Sequence, residues 1–135
     1  YLYRVNRTNM LKTLIFIGAG GFVGSIARYL LSQIIQQNAT SSFPWGTLVV
    51  NVVGSLLIGL FYGLSERGAI GSSEVRLFLT VGLCGGFTTF STFSNENLAL
   101  LRDGQFSFFA MYAFASVVLG LVAVMGGFAL TKMWS

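Results

Sequence analysis

Long apolar runs follow one another along this sequence, and they constrain its fold more than any motif does. Only 9% of the 135 residues are charged, while 54% are hydrophobic. An ordinary soluble domain carries roughly 25% charged residues. So few charges cannot cover a surface that faces water. Apolar runs of about 20 residues, with charges toward their ends, read instead as transmembrane helices. The sequence predicts an all-α integral membrane protein, surrounded by lipid.

Four spans are expected, over about 11–35, 44–65, 74–102 and 105–133. Lys12 marks the start of the first, and the polar stretch QQNATSS follows it. Pro44 opens the second at a position where a helix tolerates proline. The polar loop ERGAIGSSE separates the second span from the third. The spans form one domain over 10–135, with no internal repeat. Residues 1–9, YLYRVNRTN, are polar and basic and read as a leader or upstream extension. No signal-peptide cleavage site is evident, because the first apolar run continues into the body.

The first span contains LIFIGAGGFVGSIARYLL, whose Gly18, Gly21 and Gly24 imitate a nucleotide-binding fingerprint. Such a fold needs several βαβ units and an acidic residue about 20 positions later. No carboxylate occurs between Gly24 and Glu66, so that reading fails. Gly20 and Gly24 also stand four apart, as do Gly59 and Gly63 in the second span. Small residues at that spacing let membrane helices pack backbone to backbone.

The third span is unusual at its centre, VGLCGGFTTFSTFSNENL. Paired glycines, here Gly85 and Gly86, permit non-helical backbone angles. Unwound backbone at membrane depth is tolerated only when buried in protein or lining a watery cavity, and broken helices place carbonyls at ion sites. The alternative is that Gly82 and Gly86 simply allow close packing. Both readings stand from spacing alone.

Polar groups at mid-depth face protein or a pathway, since facing lipid is costly. Thr47, Asn51 and Ser55 recur every four residues and share one face of the second span. Asn51 lies about 10 Å beyond Pro44 at ~1.5 Å per residue. Tyr112 and Ser116 form a shorter stripe in the fourth span, extended by Gly120. Interhelical hydrogen bonding, at ~0.6 kcal/mol per contact, is the plainer reading for the serines, while the two N–H donors of the Asn51 carboxamide favour a functional one. Phe87, Phe90 and Phe93 repeat every three residues and read as one aromatic face, interleaved with Thr88, Thr89, Ser91 and Thr92. Aromatic ring edges carry partial positive charge. A row of ring edges and neutral donors would solvate a small anion without a fixed cation to trap it, as fast permeation requires. Arg28, near the end of the first span, either snorkels to the interface or attracts anions to a vestibule. Glu96, past the Phe and Thr cluster, either caps or pairs structurally or lines a pathway.

Other classes are excluded. The net charge of +4 arises from singly scattered basic residues, which form no patch for nucleic acid. With one cysteine, Cys84, no intramolecular disulfide forms. The sequence has no histidine, no acidic pair and no nucleophile motif, so an enzyme is not expected.

GLCGGFTTFSTFSNE, together with GAGGFVGSIARY and FPWGTLVVNVVGS, closely resembles the small fluoride channels of the Fluc or CrcB family. The likeness runs from Met10 onward. It implies a four-helix subunit, with the third helix broken near its centre, assembling as an antiparallel, dual-topology homodimer with two fluoride pores. On that resemblance Asn51 lines the pore, and Phe90 and Phe93 are its phenylalanines. Backbone carbonyls of Gly85 and Thr88 would hold a structural sodium ion on the dimer axis. Tyr112 and Ser116 map to a polar track, although Gly120 stands where a further hydroxyl can occur. Thr47 and Glu96 would flank the route. The location implied is a bacterial inner membrane, and the partners are fluoride, sodium, lipid and a second copy, not nucleic acid. Lys12, Arg67, Arg76 and Lys132 fall on one side and Arg28 and Arg102 on the other, a weak orientation bias that suits insertion both ways. A small proton-coupled four-helix exporter is the main rival, but it needs a carboxylate inside the first span, which has none.

Overall fold

The computed structural model describes residues 7–134. Among the described residues its regular elements are helical: α1 Arg7–Gln37, α2 Trp45–Glu66, α3 Ser73–Leu77, α4 Gly85–Phe87, α5 Phe90–Arg102 and α6 Phe106–Leu130. A π-helical segment, Phe78–Cys84, joins α3 to α4, and a 3₁₀ turn, Thr131–Trp134, follows α6. The four expected spans are present as Asn9–Gln37, Trp45–Glu66, Ser73–Arg102 and Phe106–Met133, each long and apolar enough to cross a membrane. Most of the expected leader, residues 1–6, lies outside the described residues. Arg7–Asn9 already belong to the first turn of α1.

Two helix pairs organise the subunit. α2 packs along α6, and α1 packs along the first half of the third span, from α3 to α4. Glycine makes both contacts possible. A Cβ on Gly20 would collide with the carbonyl oxygen of Phe78, and one on Gly24 with that of Leu83. In the other pair, a Cβ on Gly59 would strike the carbonyl of Val124. These are backbone-to-backbone approaches of the kind that drives association in lipid. Gly18, one of the fingerprint glycines, meets nothing within 4 Å; the cluster is part of a helix face.

The third span is broken, but not at its paired glycines. Gly85 is fully helical, with φ −62° and ψ −38°. The break falls at Thr88 (φ −93°, ψ 158°) and Thr89 (φ −150°, ψ 120°), both extended. β-Branched threonine favours extended backbone, and the Thr89 hydroxyl then caps α5 by accepting the Thr92 N–H at 3.2 Å. Gly82 and Gly86 do the packing: a Cβ there would sit 2.7 Å from the Ile17 oxygen and 2.8 Å from the Gly21 oxygen. The close-packing reading of Gly82 and Gly86 therefore holds, and the unwinding expected at Gly85 and Gly86 falls at the threonines after them. The break also corrects the aromatic face. Phe87 precedes it and is buried, so it does not share a helix face with Phe90 and Phe93.

Candidate functional site

Breaking a helix frees backbone groups that must find new partners at membrane depth. Asn51 supplies them from α2. Its Oδ1 accepts the Thr89 N–H at 2.8 Å, and its Nδ2 donates to the Thr89 carbonyl at 3.2 Å. The carboxamide thus pairs with Thr89 as a neighbouring strand would. One N–H of Nδ2 remains beyond this pair. One turn further, Ser55 donates to the Asn51 carbonyl at 2.8 Å.

A pocket of about 330 Å³ opens beside the break. Asn51, Ser55, Thr88, Thr89, Phe90, Phe93 and Ser116 all line it. The sequence-predicted residues of three separate spans therefore meet in one place. Ser116 has a notable state: its hydroxyl oxygen is buried and has no hydrogen-bond partner. Phe90 is 79% exposed within the single chain, so its ring is free to meet something outside the subunit.

From Phe93 the polar residues continue toward one end of the bundle. The Phe90 and Phe93 ring centroids lie 5.8 Å apart, and Phe93 sits 4.9 Å from the ring of Tyr112. Tyr112 is fully buried and donates its hydroxyl to the Glu96 carboxylate at 3.1 Å. Thr47, buried on α2, lies beside Glu96 and Tyr112. Thr47, Glu96 and Tyr112 thus form one cluster beyond the phenylalanines, anchored by the apolar cluster of Phe43, Leu48 and Leu100.

Arg28 is placed differently from a vestibule residue. Its Nε donates to the Gly86 carbonyl at 3.0 Å, at the C-terminal end of the helix that stops at the break. A cation there complements the helix dipole and satisfies a freed carbonyl. Arg28 does not line the pocket.

The Gly85 carbonyl has lost its usual partner, because the Thr89 N–H that would close that helical turn goes to Asn51. The Cys84 carbonyl, by contrast, accepts both the N–H and the hydroxyl of Thr88 at 3.0 Å. Among the described residues no three His, Cys, Asp or Glu side chains group to hold a metal.

Sequence reasoning missed Gly54 and the pocket position of Cys84. Gly54 lets α2 approach the break, since a Cβ there would collide with the Thr88 methyl. Its place three residues after Asn51, on nearly the same face, was the available signal. Cys84, buried and free, lines the pocket from the π segment.

Residues 15–128 match the family model described as "CrcB-like protein, Camphor Resistance (CrcB)". The chain is 53% identical over 117 residues to a protein of Phocaeicola vulgatus named fluoride-specific ion channel FluC, a match covering 87% of this chain and 96% of that one. It is 51% identical over 120 residues to a Bacteroides fragilis protein of the same name, covering 87% and 94%. A Flavobacterium psychrophilum protein, also so named, is 44% identical over 122 residues, covering 90% and 98%. With the matched segment running through all four of its spans, this multi-pass membrane protein belongs to the CrcB family.

Proposed function

We propose that the chain is a fluoride-selective channel that lets F⁻ leave a bacterial cell passively across the inner membrane. The observation that carries this reading is the buried, unpartnered hydroxyl of Ser116 in a pocket shared with Asn51, Thr89, Phe90 and Phe93. A buried donor without an acceptor costs about 1–3 kcal/mol, and a compact anion that accepts hydrogen bonds strongly would relieve it. The remaining Asn51 N–H and the ring edges add neutral donors. No arginine or lysine lines the pocket, so nothing there would hold the anion too tightly to leave. Tyr112, Thr47 and Glu96 continue the route beyond Phe93.

The full pathway belongs to an antiparallel homodimer. The high exposure of Phe90 and the open space beside Gly85 support approach of a second copy at the break. The carbonyls of Gly85 and Thr88 would hold a structural sodium ion there, which would brace the paired breaks. Lys12 and Glu74 pair at one end of the bundle, where Arg67 also meets Thr131. These contacts support the assignment of charges to sides made from the sequence.

Fluoride efflux from liposomes carrying purified protein, followed with a fluoride electrode, tests the reading. Release is expected without any proton gradient and with little chloride movement. Release that needs an imposed proton gradient would replace the channel with a coupled exporter, Glu96 serving as its carboxylate.

A further inference from the structure

Asn97 lies outside the pocket and the polar cluster, yet it is buried, at 8% exposure. It sits on the face of α5 that carries Phe93 and Leu100, packed toward α2 and α6. Its Nδ2 donates to the Phe93 carbonyl at 3.0 Å, one turn back. Its Oδ1 is buried and has no partner. The orientation is fixed, because turning the amide over would set Oδ1 against the Phe93 carbonyl. A leucine would fill this face without leaving a polar atom unpaired. Asparagine here therefore carries a cost that packing does not explain.

We propose that Asn97 is a positioning residue for Phe93, and that its Oδ1 holds an internal water molecule within the subunit. The bond from Nδ2 adds a side-chain tether to the turn that presents the Phe93 ring to the pocket and to Tyr112. Oδ1 is an acceptor, so it does not bind the anion; a water that donates to it is the ligand that fits. The positioning role rests on the fluoride-channel reading, while the water does not.

The test compares wild type with Asn97→Leu, Asn97→Asp and Asn97→Gln in liposomes, measuring fluoride and chloride flux. Leu removes both polar ends, and Asp replaces the donor by an oxygen that repels the Phe93 carbonyl. Both should lower fluoride flux about fivefold, the rate equivalent of one lost neutral hydrogen bond. Both should also weaken discrimination against chloride, at unchanged chromatographic size, and Gln should recover part of each. Wild-type flux and discrimination in Asn97→Leu would overturn the positioning role. Should the variants fail to fold, a crystal structure of the wild-type protein decides. A water within about 3.2 Å of Oδ1 supports the proposal, and an Oδ1 packed only against carbon overturns it. A wild-type protein that passes no fluoride would defeat the channel reading, and the crystallographic result would still decide the water.

Discussion

The two halves of the third span are built on different principles. Ser73–Phe87 is held against α1 by glycines, backbone on backbone, with no room for even a methyl at Gly82 or Gly86. Phe90–Arg102 makes far fewer contacts with its neighbours and is secured by side chains: Asn51 on Thr89, Tyr112 on Glu96, and the tilted contact of the Phe93 and Tyr112 rings. The close-packed half acts as a scaffold. The other half leaves Phe90, Ser91, Ser94 and Asn95 exposed. In lipid, where apolar burial gives little drive between helices, van der Waals fit fixes one half and directed hydrogen bonds fix the other.

The largest expected effect breaks the scaffold. Gly86→Leu should cost about 3 kcal/mol or more, as overpacking against the Gly21 backbone leaves no flexible atom to yield. Unfolding in detergent would measure it, and a well-folded Gly86→Leu would erase the contrast between the halves. Next comes Asn51→Leu, which leaves the Thr89 N–H and carbonyl unpaired. It should cost about 1–3 kcal/mol and reduce fluoride flux to near background. A stable, conducting Asn51→Leu would mean that the break needs no clamp. Ser116→Ala removes a buried hydroxyl with no partner, so stability should rise by about 1 kcal/mol while fluoride flux falls. Loss of stability without loss of flux would mark that hydroxyl as helix glue. Smallest is Lys12→Ala. Its ion pair with Glu74 is solvent-exposed at 3.5 Å, and such pairs contribute little. Its unfolding curve and flux should overlay those of wild type.

Much of the architecture was legible in the chain. Composition required a membrane, run lengths located four spans to within a few residues, and four-residue glycine spacing marked the close helix contacts. Asn51 and Ser116 were identifiable as polar groups with a reason to face inward, while nothing in the sequence showed that Phe90 faces out of the single chain. Other features were not legible. The break was expected at Gly85 and Gly86 because glycine permits unusual angles, yet those residues are helical and the threonines after them unwind. Arg28 had two readings, at the interface or in a vestibule, and neither named the Gly86 carbonyl.

Sequence by itself decides whatever depends on the solvent and on the helical period: which segments are buried in lipid, and which residues share a face. Those are properties of one segment and its surroundings. Only the tertiary structure decides which freed backbone group meets which side chain. Asn51 and Thr89 are 38 positions apart, and Arg28 and Gly86 are 58 apart. Permission to unwind is local, but the hydrogen bonds that make unwinding stable in a waterless medium come from another helix.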